Sequence, residues 1–527
     1  MRRWWVFRVL GVVAILASAG FIVFALRQRE ARRLAERREQ RQEAFVEVAP
    51  APIPTGIPLR GEEGTDADGA PRQWVDVKGL RSLLLNRRFA ALDQAFTHFQ
   101  DAFERDARFE AWPLDAANAF GSSESPIREA LDEWIDASPQ SFAPYLARAV
   151  CTIAVAKNQR GGALAKDTEE SDFAEMNVTL QGALGDLSAA RKLRPGLVTA
   201  VQQTIRIGRL LGDGALVDRS IQELDQACPG CVLHRIAVMY ALLPRWGGSY
   251  SLMNAYLARL DRHANPRLEL LAGYVDADLA DLAEHEKDFT EALAAIDRAC
   301  ARGEHAPFLI ARAGIRRRRG EFPEALRDVN RALELAPASA EASYERSEIF
   351  FRQKKHELAA RDLLEGLRLD PTDSTGQWLY TPVLRAVSDE AWALFHEGSE
   401  VEALRLFDLA AEIAPRASEL QQRRAAVLSS GPVSPRAVEE LRARLESAPD
   451  DLLLHRRLDY TLARMGRYDE IVTLWTRYLA RHDDARAHLE RAGTYSHLKR
   501  FAERDADLAK ACEGGLTEGC VQWQSYR

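Results

Sequence analysis

The sequence lacks the short motifs that mark many enzymes. It contains no Walker phosphate loop, no dinucleotide-binding glycine fingerprint and no Gly-x-Ser-x-Gly nucleophile elbow. His285-Glu286 and His356-Glu357 each lack the second histidine that a helical zinc-protease motif places four positions after the first. These absences predict a protein that is not an enzyme and that has no cofactor and no catalytic metal.

The sequence also has little net charge and few stretches with the alternation of a strand. Because the formal net charge is only −7, nothing draws the whole chain to nucleic acid, and no nucleic-acid partner is predicted. The composition is 46% hydrophobic and 28% charged, and it is rich in Ala, Leu, Arg and Glu. Over 527 residues it predicts an all-α protein with room for a long repeat array.

One apolar segment lies close to the N-terminus, after a short tail at 1–3. Residues 4–26 are apolar except for Arg8, and at about 1.5 Å per residue they reach about 35 Å, enough to cross a bilayer core. We therefore predict a single transmembrane helix and a place in the bacterial inner membrane. The alternative is a cleaved signal peptide, with Ala17-Ser18-Ala19 as its cleavage site.

The segments after the anchor differ in composition. Residues 27–45 carry seven arginines, all within 27–41, which predicts a charged juxtamembrane helix and slightly favours a cytoplasmic body. Residues 46–73 are rich in proline and glycine and predict a disordered tether. Residues 74–272 predict a helical domain with degenerate repeats, beginning with a helix pair that breaks near Asn86.

A repeat pattern runs from about residue 273 to 527. Alignment on "EFPEALRDVNRALELAP" at 321–337 gives about seven units, which begin near 273, 306, 340, 384, 418, 452 and 485. The pattern resembles the tetratricopeptide repeat, in which small residues let two helices approach closely and a proline closes the second helix. This resemblance implies an α-solenoid that binds proteins. The insertion at 373–382 is predicted to be a loop or a helix extension.

The first helix of each such unit lines the concave face of a tetratricopeptide superhelix. Its thirteenth position is basic in six of the seven units, at His285, Arg318, Arg352, His396, Arg464 and His497. We predict that this ladder receives an acidic or carboxylate-bearing segment of a partner protein. The alternative is that these cations end helices and only complement the helix dipole.

A Trp-Gly-Gly-Ser motif interrupts the helical pattern at 246–249. Pro244 is expected to stop one helix, Gly247 or Gly248 to take positive φ, and Ser249 to cap the next helix. With "FAALDQAFTHF" and "WIDASPQSFAPYLARA", the motif "PRWGGSY" resembles a bacterial domain family of unknown function, number 4034. That family implies no activity. A ligand-recognition role for Trp246 and Arg245 is the alternative.

Four of the six cysteines fall in two close pairs. Cys228 and Cys231, with His234 nearby, are predicted to be reduced turn cysteines, a structural disulfide, or a redox or metal site. Cys512 and Cys520 resemble the pairs that staple adjacent helices in secreted Sel1-like repeats, which favours an oxidising compartment and keeps a periplasmic body open.

The combined expectation is a membrane-anchored interaction scaffold that binds a partner segment in the concave groove. The alternative is a hydrolase or redox protein that acts through residues 74–272, with the repeats as its targeting arm. The oligomeric state is not predicted.

Overall fold

The computed structural model describes residues 53–66, 69–161, 168–263, 265–429 and 433–526. The predicted tail, anchor and charged helix at 1–45 lie outside these residues, as does the start of the predicted tether. Among the described helices, none combines the length and the apolar character that a membrane crossing requires.

The described residues contain 25 α-helices and one small antiparallel sheet. Strand β1 (Leu59–Arg60) pairs with β2 (Trp74–Val75), and Leu59 lies opposite Val75. This part of the chain differs from the disordered tether that its composition predicts. The reason is hydrophobic burial: Val75 is fully buried, and Ile53, Ile57 and Leu59 pack against the same core.

Ten helices precede the repeat array: α1 (Val77–Leu85), α2 (Phe89–Arg105), α3 (Ala111–Asn118), α4 (Ser125–Ala137), α5 (Ala143–Arg160), α6 (Glu170–Leu193), α7 (Val198–Leu211), α8 (Gly214–Ala227), α9 (Ile236–Ala241) and α10 (Tyr250–Arg259). Short 3-10 helices lie at Ala107–Phe109, Pro244–Trp246 and Pro266–Ala272. The predicted helix pair is present, because α1 ends at Leu85 with Asn86 as its C-cap.

The array contains fourteen helices in hairpins: α11 (Gly273–His285), α12 (Phe289–Cys300), α13 (Ala306–Arg318), α14 (Phe322–Leu335), α15 (Ala340–Arg352), α16 (His356–Leu369), α17 (Ser374–His396), α18 (Glu400–Ile413), α19 (Ser418–Leu428), α20 (Pro435–Ser447), α21 (Leu452–Arg464), α22 (Tyr468–Leu479), α23 (Ala485–His497) and α24 (Phe501–Glu513). A last helix, α25 (Thr517–Ser525), follows. Six of the seven first helices begin at the residue that the repeat alignment predicts.

The fourth unit is the exception, because its first helix begins ten residues earlier than the predicted 384. Of the two predicted forms of the insertion, the structure has the helix extension. The Asp373 side chain accepts hydrogen bonds from the backbone N–H groups of Thr375 and Gly376, which caps the helix at this earlier point. Leu379 and Val383 are fully buried, so the added turns contribute to the core.

The turn between paired helices needs one residue with positive φ. Glycine occupies it after α13, where Gly320 has φ 79°. Lysine occupies it after α15, where Lys354 has φ 59°. The same left-handed turn occurs after α1 and α7, at Arg87 and Gly212. Two hairpins of the N-terminal region therefore share a local geometry with the array.

The N-terminal region also contacts the array far along the chain. Helix α1 packs against α16, and the Lys78 Nζ lies 2.7 Å from a Glu365 carboxylate oxygen. Residues 77–369 therefore close a turn. Within it, Lys157 (α5), Arg206 and Arg209 (α7), Tyr240 (α9) and Glu341 (α15) form a series in which each residue lies within Coulombic reach of the next, along one surface. We call this surface the inner face.

Candidate functional site: a basic cluster on the inner face

The six ladder residues predicted from the sequence lie at equivalent places. Each is the last residue of its helix, namely of α11, α13, α15, α17, α21 and α23. A cation at a helix C-terminus interacts favourably with the helix dipole. A place at the helix end is compatible with both predictions for these residues, namely binding of an acidic segment and interaction with the helix dipole alone.

Most ladder side chains have contacts with neighbouring residues. Arg318 pairs with Glu284, and Arg352 lies 3.2 Å from a Glu348 carboxylate oxygen. The three histidines contact a backbone carbonyl or neighbouring aromatic rings. Arg464, His396 and His497 have no ion-pair partner among the described residues. The ladder as a partner-binding surface stays a prediction.

The Trp-Gly-Gly-Ser motif forms a tight joint between α9 and α10. Gly247 has φ 87°, and a Cβ on Gly248 would lie only 2.0 Å from the Leu242 carbonyl oxygen, so only glycine fits there. The Ser249 hydroxyl accepts a hydrogen bond from the Leu252 N–H at 3.1 Å. This geometry matches the joint predicted for the motif, and it places the Trp246 ring beside α7.

The sulfur atoms of Cys228 and Cys231 are bonded in the structure, at 2.04 Å. Both residues are buried. The structure thus shows the disulfide among the three alternatives that the sequence leaves open for this pair. Cys512 and Cys520 are bonded as well, which joins α24 to α25.

Glu110, Cys231 and His234 have potential metal-ligand atoms within 4.8 Å of one another, and all three are buried. Each donor is already engaged. The Glu110 carboxylate accepts hydrogen bonds from the Val232 and Leu233 N–H groups, and His234 lies between Glu110 and the Thr199 hydroxyl. The network holds the turn after the disulfide against the rest of the domain.

Three cations share a different environment on the inner face. They are Lys157 on α5 and Arg206 and Arg209 on α7. None of the three forms an ion pair with a carboxylate within the part of the chain that the structure describes. We call these residues the basic cluster. Because Arg206 and Arg209 are three positions apart on one helix, their side chains lie on the same helix face.

The basic cluster is held by uncharged neighbours. Arg206 donates to the Gln203 side-chain oxygen at 3.0 Å. The Arg209 guanidinium lies 4.8 Å from the ring centre of Trp246 and 5.7 Å from that of Tyr240. These cation–π contacts orient Arg209 without neutralising its charge.

The cations of the basic cluster are close enough to disfavour one another's charge. Burial, with Arg206 and Arg209, lowers the pKa of Lys157 to about 8. Burial, with Arg206, lowers the pKa of Arg209 to about 10. The Lys157 side chain is nevertheless exposed. Lys157 therefore reaches water from a site that much of the protein surrounds.

An acidic residue lies near the basic cluster. Glu341, at the start of α15, is exposed and has no ion-pair partner among the described residues. Burial by the surrounding protein, with Asp373 and Glu345, raises its pKa. Burial, with Glu341, raises the pKa of Tyr240, so Glu341 lies within Coulombic reach of the ring that contacts Arg209.

The last four units carry a second set of arginines, Arg424, Arg456 and Arg486, and each of these three has a carboxylate partner. Arg424 and Arg486 contact Glu518 of α25 at 3.0 and 2.7 Å. Arg456 contacts Asp408 at 2.7 Å. Although burial disfavours its charge, Arg424 and Arg486 keep the pKa of Glu518 low, at about 2. We call this set the paired cluster, and it includes Glu412, which contacts Arg486 and the Thr517 N–H.

The basic cluster is not apparent from the sequence alone. Its residues lie in a region with weak repeat character and in two separate helices, so nothing in their spacing joins them. One local signal was available. Helix α7 contains two arginines and no acidic residue, and a basic helix face without nearby acids depends on distant partners or on a ligand.

Comparison with known families gives a match in the array. Residues 310–374 match the family model described as a tetratricopeptide repeat. They span most of α13, all of α14 to α16 and the start of α17. No curated protein matches the chain.

Several solved structures resemble the chain at low identity. The TPR domain of P58(IPK) has 17% identity and a TM-score of 0.21, with 82% of this chain and 97% of that one covered. A tetratricopeptide repeat protein from Parabacteroides merdae has 14% identity and a TM-score of 0.22, with coverages of 47% and 98%. The TPR2AB domain of yeast Sti1, in a complex with pHSP90, has 12% identity and a TM-score of 0.19, with coverages of 46% and 97%. At such scores these likenesses carry no argument about this chain.

Proposed function

We propose that this protein is a scaffold that holds a segment of a partner protein against its inner face. Stacked helical hairpins present continuous surfaces, and tetratricopeptide repeats are typical of protein-binding modules. The observation that carries the proposal is the presence of charges of both signs without ion-pair partners on the inner face. Lys157 and Glu341 are exposed there and have no ion-pair partner among the described residues, so both are available to a bound chain.

The proposal includes a membrane anchor over residues 4–26 of a bacterial inner-membrane protein. Its support is the sequence alone, namely the apolar run and its length. The side of the membrane on which the body lies has opposing indications. The arginines after the anchor favour the cytoplasm, whereas the two disulfides favour an oxidising compartment. Fusions of a phosphatase and of a fluorescent protein to the C-terminus would distinguish the two.

Residues 74–272 are proposed to be part of the binding surface. Their resemblance to the domain family of unknown function, number 4034, remains part of this proposal and brings no reaction. The alternative of a hydrolase or redox protein gains no support from Glu110, Cys231 and His234, because their donor atoms are already engaged.

Site-specific photo-crosslinking tests the scaffold. A photoreactive residue at Tyr240, which is 40% exposed on the inner face, is expected to give discrete protein adducts in membranes. The matched control is Arg327, whose side chain is 69% exposed on the second helix of its unit. Adducts from Tyr240 that are absent from Arg327 would support the scaffold. The same adducts from both positions, or none from Tyr240, would contradict it.

A further inference from the structure

We infer that the basic cluster binds the carboxylates of an acidic segment of a partner protein. This inference rests on the proposed function and specifies the chemistry of the partner. It places the acidic partner at Lys157, Arg206 and Arg209 and not at the ladder predicted from the sequence.

The first support is that these cations differ from most arginines around them. Arg148 contacts Asp186 and Asp132 at 2.7 and 2.8 Å, and Arg312 contacts Asp328 at 2.7 Å. Ion pairing with a carboxylate is thus common among the described arginines of this region. Three neighbouring cations without such a partner repel one another, and a bound anion would remove that cost.

The second support is the preorganisation of Arg209. Its guanidinium lies over Trp246, and its Nε is buried without a hydrogen-bond partner. A guanidinium that packing already orients loses less conformational entropy when a carboxylate binds. The Trp-Gly-Gly-Ser joint thereby gains a role, because it positions the ring that orients the arginine.

The third support decides between a peptide and a nucleic acid. Acidic residues lie beside the basic cluster: Asp370 is within Coulombic reach of Lys157, and Glu341 is within reach of Tyr240, whose ring contacts Arg209. These acids would repel a ligand with a continuous run of negative charge. A peptide that carries a cation or neutral donor as well as carboxylates fits both signs of charge.

Fluorescence anisotropy with the purified full-length chain in detergent tests the inference. The probe is a fluorescein-labelled decapeptide with four glutamates and one lysine, and the control peptide has glutamine at the four acidic positions. We expect binding of the acidic peptide that weakens with salt. The variant with Lys157→Gln, Arg206→Gln and Arg209→Gln is expected to weaken it at least tenfold. Unchanged affinity, or equal binding of the glutamine peptide, would overturn the inference.

Two further variants protect the test against misfolding. Lys157→Gln changes an exposed side chain that has no ion-pair partner, so it leaves the fold intact and is expected to weaken binding about threefold to fivefold. Arg436→Gln removes a cation whose side chain is 86% exposed on a distant helix, and it is expected to leave the affinity unchanged. Equal affinities for these two variants would count against the inference.

Competitors identify the ligand class. Displacement of the peptide by a peptide of the same charge, but not by millimolar inorganic phosphate, supports a peptide site. Equal displacement by phosphate means an ion site only, and tighter binding of a single-stranded oligonucleotide means a nucleic-acid site; both overturn the inference.

If the Tyr240 photo-crosslinking adducts persist in the triple variant, the scaffold stands and this inference fails. If wild-type Tyr240 gives none, the scaffold itself fails.

Discussion

The basic cluster, within residues 77–369, and the paired cluster, within the last four units, hold their arginines in opposite electrostatic situations. In the first region, Arg206 and Arg209 lie on the inner face and have no ion-pair partner among the described residues. In the second, Arg424 and Arg486 are almost closed off from water and share the carboxylate of Glu518. The same residue type therefore serves two purposes, with charge available to a ligand in one region and consumed by the fold in the other.

This difference indicates where an open binding surface lies. Helix α25 reaches back to α18, where the Glu412 carboxylate accepts a hydrogen bond from the Thr517 N–H at 2.8 Å. The chain's own end thus supplies the anion that a partner would supply elsewhere. Charge variants in the two regions should consequently affect stability and binding in opposite ways.

The largest expected effect is in the paired cluster. Glu518→Ala leaves Arg424 and Arg486 in place but without their shared carboxylate. Arg486 keeps Glu412 at 3.1 Å and Arg424 keeps Asp408 at 3.6 Å, so the loss lies at the low end of the cost of breaking a buried ion pair. We expect the free energy of unfolding of the C-terminal units to fall by about 3 kcal/mol. Hydrogen exchange over residues 485–525 measures it.

The control is an exposed pair of the same chemistry, Arg436 and Glu440. Glu440→Ala is expected to cost less than about 0.5 kcal/mol. If Glu518→Ala costs no more than this control, the distinction between the two regions does not hold.

The next effect concerns the covalent link that holds α25. The double variant Cys512→Ser and Cys520→Ser removes a disulfide with a sequence separation of eight. The loop-entropy relation gives a loss of about 2.5 kcal/mol for a loop of this size. Urea unfolding measures it, with Cys300→Ser, a free cysteine, as the control. Equal midpoints for the two variants would show that the link adds nothing.

Asp115 provides a pH test for the N-terminal region. Burial raises the pKa of its carboxyl to about 7, from an ordinary 3.8, and the carboxylate has no partner among the described residues. As pH rises from 4 to 7, the unfolded chain ionises first, so the free energy of unfolding falls. Asp115→Asn removes that fall. A shift of three pKa units corresponds to about 4 kcal/mol, and we expect about half of this energy. Asp115→Asn should therefore stabilise the protein by about 2 kcal/mol at pH 8 and have little effect at pH 4.

The opposite slope is expected in the paired cluster. The pKa of Glu518 is lowered to about 2. Its contribution to the free energy of unfolding is therefore complete above the ordinary pKa of a glutamate and is lost as pH falls toward 2. Urea midpoints of Glu518→Gln and Asp115→Asn from pH 3 to 8 compare the two. Parallel curves would contradict the assignment of the two environments.

The smallest expected effect is at the turn that both regions share. Lys354 has φ 59°, a conformation that costs a lysine roughly 1 kcal/mol. Lys354→Gly is expected to raise stability by about 0.5–1 kcal/mol, and Gly320→Ala, at the equivalent position, to lower it by about 1 kcal/mol. Thermal unfolding measures both shifts. Changes of the same sign would mean that the turn conformation does not set them.

The helix boundaries of the array were predictable because the signals are local. A proline ends each of several units, and small residues recur where helices approach, so six first helices start where the alignment puts them. The repeat pattern does not decide whether the insertion at 373–382 is a loop or a helix extension. The Asp373 cap and the burial of Leu379, which form the extension of α17, depend on neighbours that the pattern does not describe.

The basic cluster was not predictable in the same way. Lys157 is separated from Arg206 by forty-nine positions, and only the stacking of α5 on α7 brings them to one face. The ladder at the helix ends followed from repeat numbering, which gives a position within a unit but not its distant neighbours. Electrostatic sites on a solenoid need the curvature of the array, and curvature accumulates over many contacts.

The contact between Lys78 and Glu365 has a consequence for folding. In an ordinary repeat array each unit contacts only its neighbours, so a chain shortened at one end keeps the stability of the other end. Here 287 positions separate two residues that touch. Closing such a span costs entropy before the contact forms, which slows this step relative to the local hairpins. During synthesis, α1 therefore stays without its contact to α16 until the chain has passed residue 369.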